Sequence, residues 1–263
     1  MKISAVLERL KPWFHAYIAS FPVPDADVKK NFDLKRDHTL RVGEEIRFLS
    51  ERLNLDAHET ALAEICALLH DIGRFEQYHR FRTFMDPVSA DHAELGLQVI
   101  DRNNLLQGLK EADRSMVREA IANHNRLAID PGLERRALFF TRLIRDADKL
   151  DIWKVVIAYY NSEVKNEAVK IGLSLDNTIT EKVFNDLMDG KIAGKEDFRT
   201  LNDFKLNQIA WVYDLNFNCS LERVRERRYL QDIFTHLDHT IPGVTGFYCR
   251  AVSFVYGNGT FAA

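Results

Sequence analysis

Residues 61–75 of the chain read ALAEICALLHDIGRF, and this stretch decides the expected fold of the region around it. Apolar side chains recur there at helical spacing, which predicts a helix with one buried face. His70 follows Cys66 by four residues, so its imidazole lies on the same face. Asp71 comes next, and Gly73 predicts the end of the helix. A buried imidazole and a carboxylate are therefore expected side by side where this helix stops.

The same helical periodicity runs through most of the chain, with few alternating runs that would indicate strands. It predicts an all-α fold in which segment 74–87 is a loop or a short helix and segment 161–177 has no clear pattern. The aromatic and β-branched segment 244–257 predicts a strand or a packed extended tail. Helices are predicted over residues 3–20, 28–54, 56–73, 88–103, 111–126, 134–160, 178–189 and 202–238.

The composition excludes several classes of protein. With 46% hydrophobic and 29% charged residues, the 263-residue chain is typical of a soluble globular protein. Its net charge of -3 argues against general nucleic-acid binding and against binding to an anionic membrane surface. No apolar stretch is long enough to span a bilayer. Three cysteines without a CxxC pair favour reduced thiols, and a cytoplasmic protein is expected.

Four further predicted helices carry a histidine or an aspartate on their apolar face. His38 continues an apolar stripe through Val42 and Ile46 at helical spacing. A lone histidine on such a face is more often a hydrogen-bonded core residue than a ligand. Here, five helices each direct an imidazole or a carboxylate inward, and this joint arrangement points to a metal site. The other three inward residues are His92, His124 and Asp148.

A metal ion accounts for the charge of the two inward carboxylates. Buried carboxylates are costly unless a cation offsets their charge, and neutral imidazoles do not supply one. Nitrogen and carboxylate ligands without thiolates favour Mn, Fe, Co, Ni or Zn. Because a carboxylate has two oxygens, Asp71 is able to bridge two ions while His70 holds one of them. Two such ions polarise a phosphoryl oxygen and generate a nucleophilic hydroxide.

The ordered pattern of these residues resembles the signature of the HD-domain metal-dependent phosphohydrolases. Four local strings carry the resemblance, namely HTLRV at His38, LLHDIGR at His70, DHAELG at His92 and DADKLD at Asp148. The resemblance extends over about residues 30–160 and not over the C-terminal part of the chain. It implies an HD-domain helical bundle, to which the C-terminal helices are additional.

The resemblance also implies which residues hold each ion. Members with a single ion need only the ligands of the first ion, which lie at the first, second and last motifs. The additional pair His92 and His124 therefore favours a binuclear centre with two divalent transition-metal ions. Such a centre occurs in the cyclic-dinucleotide phosphodiesterase branches. No GYP string follows the HD motif, which argues against the HD-GYP branch and against cyclic di-GMP as the substrate. The implied ligands are His38, His70, Asp71 and Asp148 for the first ion, and Asp71, His92 and His124 for the second.

Cationic residues beside the motifs are candidate phosphate contacts. Arg74 follows the HD motif and would bind a phosphate oxygen or stabilise the leaving group; its alternative role is a cation at a helix C-terminus. Lys149 would neutralise substrate charge or simply pair with Asp151. Arg82 and Arg126 are further candidate substrate contacts, with surface solvation as their alternative.

The leading functional hypothesis is a phosphohydrolase or phosphodiesterase that cleaves a phosphate ester of a nucleotide or related small metabolite through a metal-bound hydroxide. Asp71 is then catalytic because it holds the ions, while Arg74 and Lys149 offset developing charge. The same ligand order is similar to that of the diiron HD-domain oxygenases, which use O₂ on a hydroxylated or phosphonate substrate. A non-catalytic scaffold is the third alternative. Such a scaffold is expected to have lost metal ligands, whereas the set in this chain is complete.

The predicted organisation is an HD metal-binding helical core over residues 1–160 and a C-terminal helical extension over residues 161–263 that packs on it as one structural unit. The expected partner is a small phosphorylated or nucleotide substrate. The aromatic character of the tail would suit a homodimer contact.

Overall fold

The computed structural model describes residues 3–163, 169 and 172–257. No strand occurs within these residues, and one isolated backbone bridge pairs Ser174 with Thr200. The predicted all-α fold is therefore confirmed. The helices are α1 (Ile3–Ala19), α2 (Ala26–Arg52), α3 (Ala57–Leu69), α4 (Gly73–Phe81), α5 (His92–Arg102), α6 (Glu111–Asn123), α7 (Arg135–Asn161), α8 (Glu181–Met188), α9 (Leu201–Ala210), α10 (Asn218–Arg227), α11 (Tyr229–Phe234) and α12 (Val244–Tyr256).

The chain divides into two compact units, Met1–Asp151 and Ile152–Ala263, and the boundary lies within α7. The predicted core of residues 1–160 and the packing of an extension on it stay predictions. Segment 161–177, which had no clear sequence pattern, lies partly outside the described residues. In the described part of the chain, no helix is both long enough and apolar enough to cross a membrane.

Aspartates begin three helices of the first unit. Each accepts a hydrogen bond from a backbone N–H in the first turn, and its charge lies at the positive end of the helix dipole. These caps are Asp25 for α2, Asp56 for α3 and Asp91 for α5. The cap at Asp91 fixes the point at which His92 begins its helix.

The first unit packs its helices around an apolar core. Helices α1 and α2 both contact α3, helices α3 and α5 both contact α6, and α4 contacts α5. Burial of each large apolar side chain contributes about 1.5–3 kcal/mol before the entropy cost of ordering it. The predicted apolar stripes of α2 and α3 lie in this core, with Val42, Ile46, Leu62, Ile65 and Leu69 buried.

The helix α3 ends at Leu69, earlier than predicted, and His70 is its C-cap residue. Gly73 does not stop this helix but begins α4, so most of the segment expected as a loop or a short helix is helical. A Cβ atom on Gly73 would lie 2.2 Å from the His92 backbone oxygen and 2.5 Å from the Gly96 nitrogen. A glycine is needed here because α4 approaches the first turn of α5 this closely.

The second unit corrects two expectations. The run 202–238 is divided by the 3₁₀ turn Trp211–Asp214 and by Arg228, whose left-handed backbone ends α10. The segment 244–257, expected as a strand or an extended tail, contains the helix α12. Burial of one helical face outweighs the strand propensity of its β-branched and aromatic residues. The buried face consists of Val244, Phe247, Ala251 and Val255.

Candidate metal centre

Helices of the first unit bring the six predicted ligands into one cluster, and four of these ligands stand at helix ends. His70 is the C-cap of α3, and Asp71 follows it in the turn to α4. His92 is the first residue of α5, and His124 is the C-cap of α6. The two remaining ligands come from within long helices, namely His38 from α2 and Asp148 from α7.

The carboxylate of Asp71 stands between two pairs of histidines. Its Oδ2 lies 3.5 Å from His38 Nε2 and 3.8 Å from His70 Nε2. Its Oδ1 lies 3.3 Å from His92 Nε2 and 3.9 Å from His124 Nε2. One oxygen therefore faces each pair, and both groups are able to hold a metal ion.

The first half of the centre consists of His38, His70 and Asp148 together with Asp71 Oδ2. Asp148 Oδ1 lies 3.0 Å from His38 Nε2 and 3.7 Å from His70 Nε2. Both Nε2 atoms are buried, and within the described residues neither has a hydrogen-bond partner. Buried polar nitrogens are rarely left in this state, so the first half fits a cation placed among these atoms.

The second half consists of His92 and His124 together with Asp71 Oδ1. The two Nε2 atoms lie only 3.0 Å apart and are buried. Helix α7 also supports this half, because Arg145 donates to the backbone oxygens of His124 and Arg126. The carbonyls at the end of α6 are thereby satisfied, and the imidazole of His124 is held in place.

The outer nitrogen of each imidazole is held by an acceptor, which fixes the ring tautomer. In the neutral ring the Nδ1–H group donates, so the Nε2 lone pair is directed at Asp71. Lone pairs converging on a carboxylate repel one another unless a cation lies between them, so the donor set fits a metal. The acceptors are Asp151 Oδ2 for His38, Ala67 O for His70, Asp86 Oδ2 for His92 and Ile121 O for His124.

The electrostatic character of the two halves differs. Burial opposes the charged form of His38, but the nearby carboxylates of Asp148 and Asp151 outweigh it and raise the pKa of His38 to about 9. Burial and the nearby Arg74 guanidinium lower the pKa of His92 to about 3. The first half thus favours a positive charge at His38, whereas His92 in the second half stays a neutral imidazole.

Both aspartates of the cluster stay ionised. Burial would raise the pKa of Asp71, but Lys35 and His70 hold it well below its usual range. Burial likewise opposes the charge of Asp148, but the nearby imidazoles of His38 and His70 lower its pKa well below the usual range. Carboxylates together with imidazole nitrogens suit a divalent transition metal.

Three charged residues of the site were missed by the sequence reasoning. Lys35 Nζ lies 2.7 Å from Asp71 Oδ2, and Lys35 precedes His38 by three residues, so helical spacing was an available signal. Asp151 contacts both His38 and Arg41 and follows Asp148 by three residues in the same way. Asp86 lies in a 3₁₀ turn with no period, so no pattern indicated its contact with His92.

Arg74 is buried, and its guanidinium is used within the protein. Its Nη1 donates to Gln77 Oε1, to Phe84 O and to Asp86 Oδ1, and its Nε lies 3.4 Å from Asp71 Oδ1. It stands in the first turn of α4, so the alternative of a cation at a helix C-terminus is wrong. Its expected role in binding a phosphate oxygen stays a prediction.

The other candidate substrate contacts lie outside the ligand cluster. Lys149 follows Asp148 on α7 and is half-buried. Arg82 ends α4 in a left-handed conformation and lies 3.5 Å from Asp25 Oδ2. Arg126 is exposed and lies within 3.6 Å of Asp91 and Glu94. Their roles as substrate contacts stay predictions.

Comparison with known families identifies the metal-binding part of the chain. Residues 36–153 match the family model of the HD domain. This part of the chain is an HD domain. The match spans every ligand of the cluster, and HD domains are generally found in metal-dependent hydrolases. No curated protein and no solved structure matches the chain.

Proposed function

We propose that the protein is a metal-dependent phosphohydrolase that cleaves a phosphate ester of a nucleotide or a related small metabolite with two divalent ions. The observation that carries the proposal is the position of Asp71, whose two oxygens face two different histidine pairs. A carboxylate shared in this way suits two adjacent ions rather than one.

The donor set supports the choice of metal and of reaction class. Four imidazole nitrogens and two carboxylates suit Mn, Fe, Co, Ni or Zn. Two such ions, when bound, polarise a phosphoryl oxygen and activate the water that attacks phosphorus. Asp71 holds the two positions at a fixed separation, and the hydrogen bonds at Nδ1 keep the imidazoles turned toward it.

Lysines beside the first half provide positive charge for the substrate. The Lys35 side chain is 17% exposed, and its Nζ contacts Asp71 Oδ2. Once this oxygen serves as a metal ligand, the ammonium group is able to bind a substrate phosphate. Lys149, Arg82 and Arg126 are the proposed contacts for the remainder of the substrate, while Arg74 contacts Asp71 from inside the protein.

A substrate panel tests the proposal. Metal-free protein is reconstituted separately with Mn²⁺, Fe²⁺, Co²⁺, Ni²⁺ and Zn²⁺ and incubated with bis(p-nitrophenyl) phosphate, nucleoside monophosphates and cyclic dinucleotides. We expect release of p-nitrophenol, phosphate or a nucleoside monophosphate with at least one metal. Asp71→Asn protein provides the matched control and is expected to release none.

The oxygenase alternative has a different readout in the same preparations. Phosphate-ester hydrolysis and oxygenation use the same kinds of metal ligand, so the measured product decides between the two reactions. A panel without any hydrolysis would contradict the proposal. O₂ consumption together with an EPR signal from mixed-valent iron would then assign the centre to oxygen chemistry, and silence in both assays would leave a binding module.

A further inference from the structure

We infer that Asp86 is a positioning residue for the second half of the centre, and that its loss removes the second ion while leaving the first in place. The inference rests on the proposed two-ion function. It concerns a residue that lies outside the ligand cluster and touches it through one imidazole, that of His92.

Asp86 uses both of its oxygens within the protein. Its Oδ2 lies 2.7 Å from His92 Nδ1 and accepts a hydrogen bond from the N–H group of that nitrogen. Its Oδ1 accepts from Arg74 Nη1 and from Gln77 Nε2, each at 2.8 Å. The carboxylate is thus tied to α4 on one side and aims at the ligand of α5 on the other.

Two buried side chains of α4 hold the connecting segment 82–91 in place. Gln77 is fully buried, and its Nε2 also donates to Ser89 Oγ and to Ala90 O. Arg74 Nη1 donates to Phe84 O at 2.6 Å. The position of Asp86 is therefore set by a connected polar network rather than by a mobile loop contact.

The hydrogen bond to Asp86 decides how His92 presents its inner nitrogen. With the proton held on Nδ1, the Nε2 atom carries a lone pair directed at Asp71 Oδ1 and His124. Without this acceptor, the ring is free to carry its proton on Nε2 or to rotate away. Either change removes a donor from the second half and none from the first.

The partner histidine of the same half differs in its support. His124 Nδ1 donates to the backbone oxygen of Ile121, which no substitution removes. In the first half, Asp151 Oδ2 lies 2.7 Å from His38 Nδ1. Asp151 thus holds His38 in the same way as Asp86 holds His92. Asp151 therefore provides a matched variant that acts on the other half.

Equilibrium titration of metal-free protein with Mn²⁺, followed by metal analysis after dialysis, tests the inference. For Asp86→Ala we expect the second dissociation constant to rise about 10- to 100-fold, as for other carboxylates that orient a ligating histidine, with the first unchanged within about twofold. Asp151→Ala is expected to weaken the first ion instead. Asp101→Ala, an exposed aspartate on α5, is expected to change neither.

A second readout separates positioning from a general structural role. In metal-free protein, the long-range ¹H–¹⁵N spectrum reports which ring nitrogen of His92 carries the proton. We expect Nδ1–H in the wild type, a mixture of tautomers in Asp86→Ala, and the wild-type pattern again in Asp86→Glu. Far-UV circular dichroism checks that each variant is folded, and Asp86→Leu, which also lacks an acceptor and is closer to aspartate in size, replaces Asp86→Ala if the latter is not.

The outcomes are distinguishable from failure of the proposed function. Two ions with wild-type affinity in the folded Asp86→Ala or Asp86→Leu protein, or equal loss of both ions, would overturn the role of Asp86. A wild type that binds two ions and hydrolyses no phosphate ester would overturn the function and leave the role of Asp86 intact. A wild type that binds one ion would overturn both.

Discussion

The two halves of the metal centre have the same number of histidines but differ in charge. The first half adds a carboxylate of its own, Asp148, and a second carboxylate, Asp151, behind His38. In the second half, Asp86 lies behind His92 in the same way, and Asp71 is the carboxylate ligand. Each half has a cation beside its oxygen of Asp71, with Lys35 Nζ 2.7 Å from Oδ2 and Arg74 Nε 3.4 Å from Oδ1. The additional carboxylate ligand Asp148 therefore distinguishes the two halves, and we expect the first half to bind its ion more tightly.

The comparison teaches that the second half depends more on how its helices are placed. Its ligands stand at the start of α5 and the end of α6, where hydrogen bonds from neighbouring segments hold them. Changes in those contacts are expected to remove the second ion before the first. The variants below test this difference in order of decreasing expected effect.

The largest effect is expected from Asp71→Asn, because the two oxygens of Asp71 face the two halves. An amide is a weaker metal ligand than a carboxylate and does not bridge two cations well. Both ions should be lost, and phosphate-ester hydrolysis should fall by at least about 100-fold. Metal analysis after dialysis checks the result. Retention of one ion with full affinity would show that the halves do not share this carboxylate.

Loss of a ligand from one half should affect that half alone. Asp148→Asn is expected to weaken the first ion, and His124→Ala the second, each by at least about 10-fold, the lower end for perturbation of a metal site. Two-site titration with Mn²⁺ measures both constants in each variant. A fall in both affinities for both variants would contradict the division into halves.

Gly73→Ala tests the close approach of α4 to α5. The added Cβ would meet the His92 backbone oxygen at 2.2 Å, so we expect a loss of about 1–3 kcal/mol in the free energy of unfolding. Displacement of His92 should also weaken the second ion more than the first. Urea unfolding and metal titration check these effects.

The control for this variant is Gly43→Ala, within helix α2. The new Cβ atom would lie 3.9 Å from Arg47 Nη1, which is ordinary van der Waals contact. Alanine should stabilise this position by about 0.5–1 kcal/mol. If the two alanine variants changed stability alike, the contact between α4 and α5 would not be as tight as described.

The smallest effect is expected from Lys35→Gln. The ion pair with Asp71 must break when Asp71 Oδ2 binds a cation, so its removal should tighten the first ion by up to about fivefold, the equivalent of ~1 kcal/mol. Lys29→Gln, which removes an exposed pair with Asp33 on the same helix, is the control and should leave the affinity unchanged. Weaker binding of the first ion in Lys35→Gln would contradict this account of Lys35.

The ligand cluster was predictable because each ligand belongs to a helical stripe or to a short ordered motif. His38 extends the apolar face of α2, and His70-Asp71 ends that of α3, so the helical period placed them in the interior. The same reasoning placed the end of α3 too late. Gly73 was read as a stop signal, whereas its role is to let two helices approach.

The residues that hold the ligands in place were less predictable, because they contact the ligands from other segments of the chain and belong to no periodic sequence pattern. Asp86 stands in a 3₁₀ turn, and only the folded network of Gln77 and Arg74 brings it to His92. The terminal segment 244–257 was misjudged for a related reason. Its residues favour strands locally, but the burial of one helical face decides its structure.

The central claim is that two ions flank Asp71, and anomalous diffraction from crystals grown with Mn²⁺ tests it most directly. We expect two anomalous peaks roughly 3.5–4 Å apart. One should lie among His38, His70, Asp148 and Asp71 Oδ2, and the other among His92, His124 and Asp71 Oδ1. A single peak at saturating Mn²⁺, or two peaks that do not share Asp71, would contradict the account.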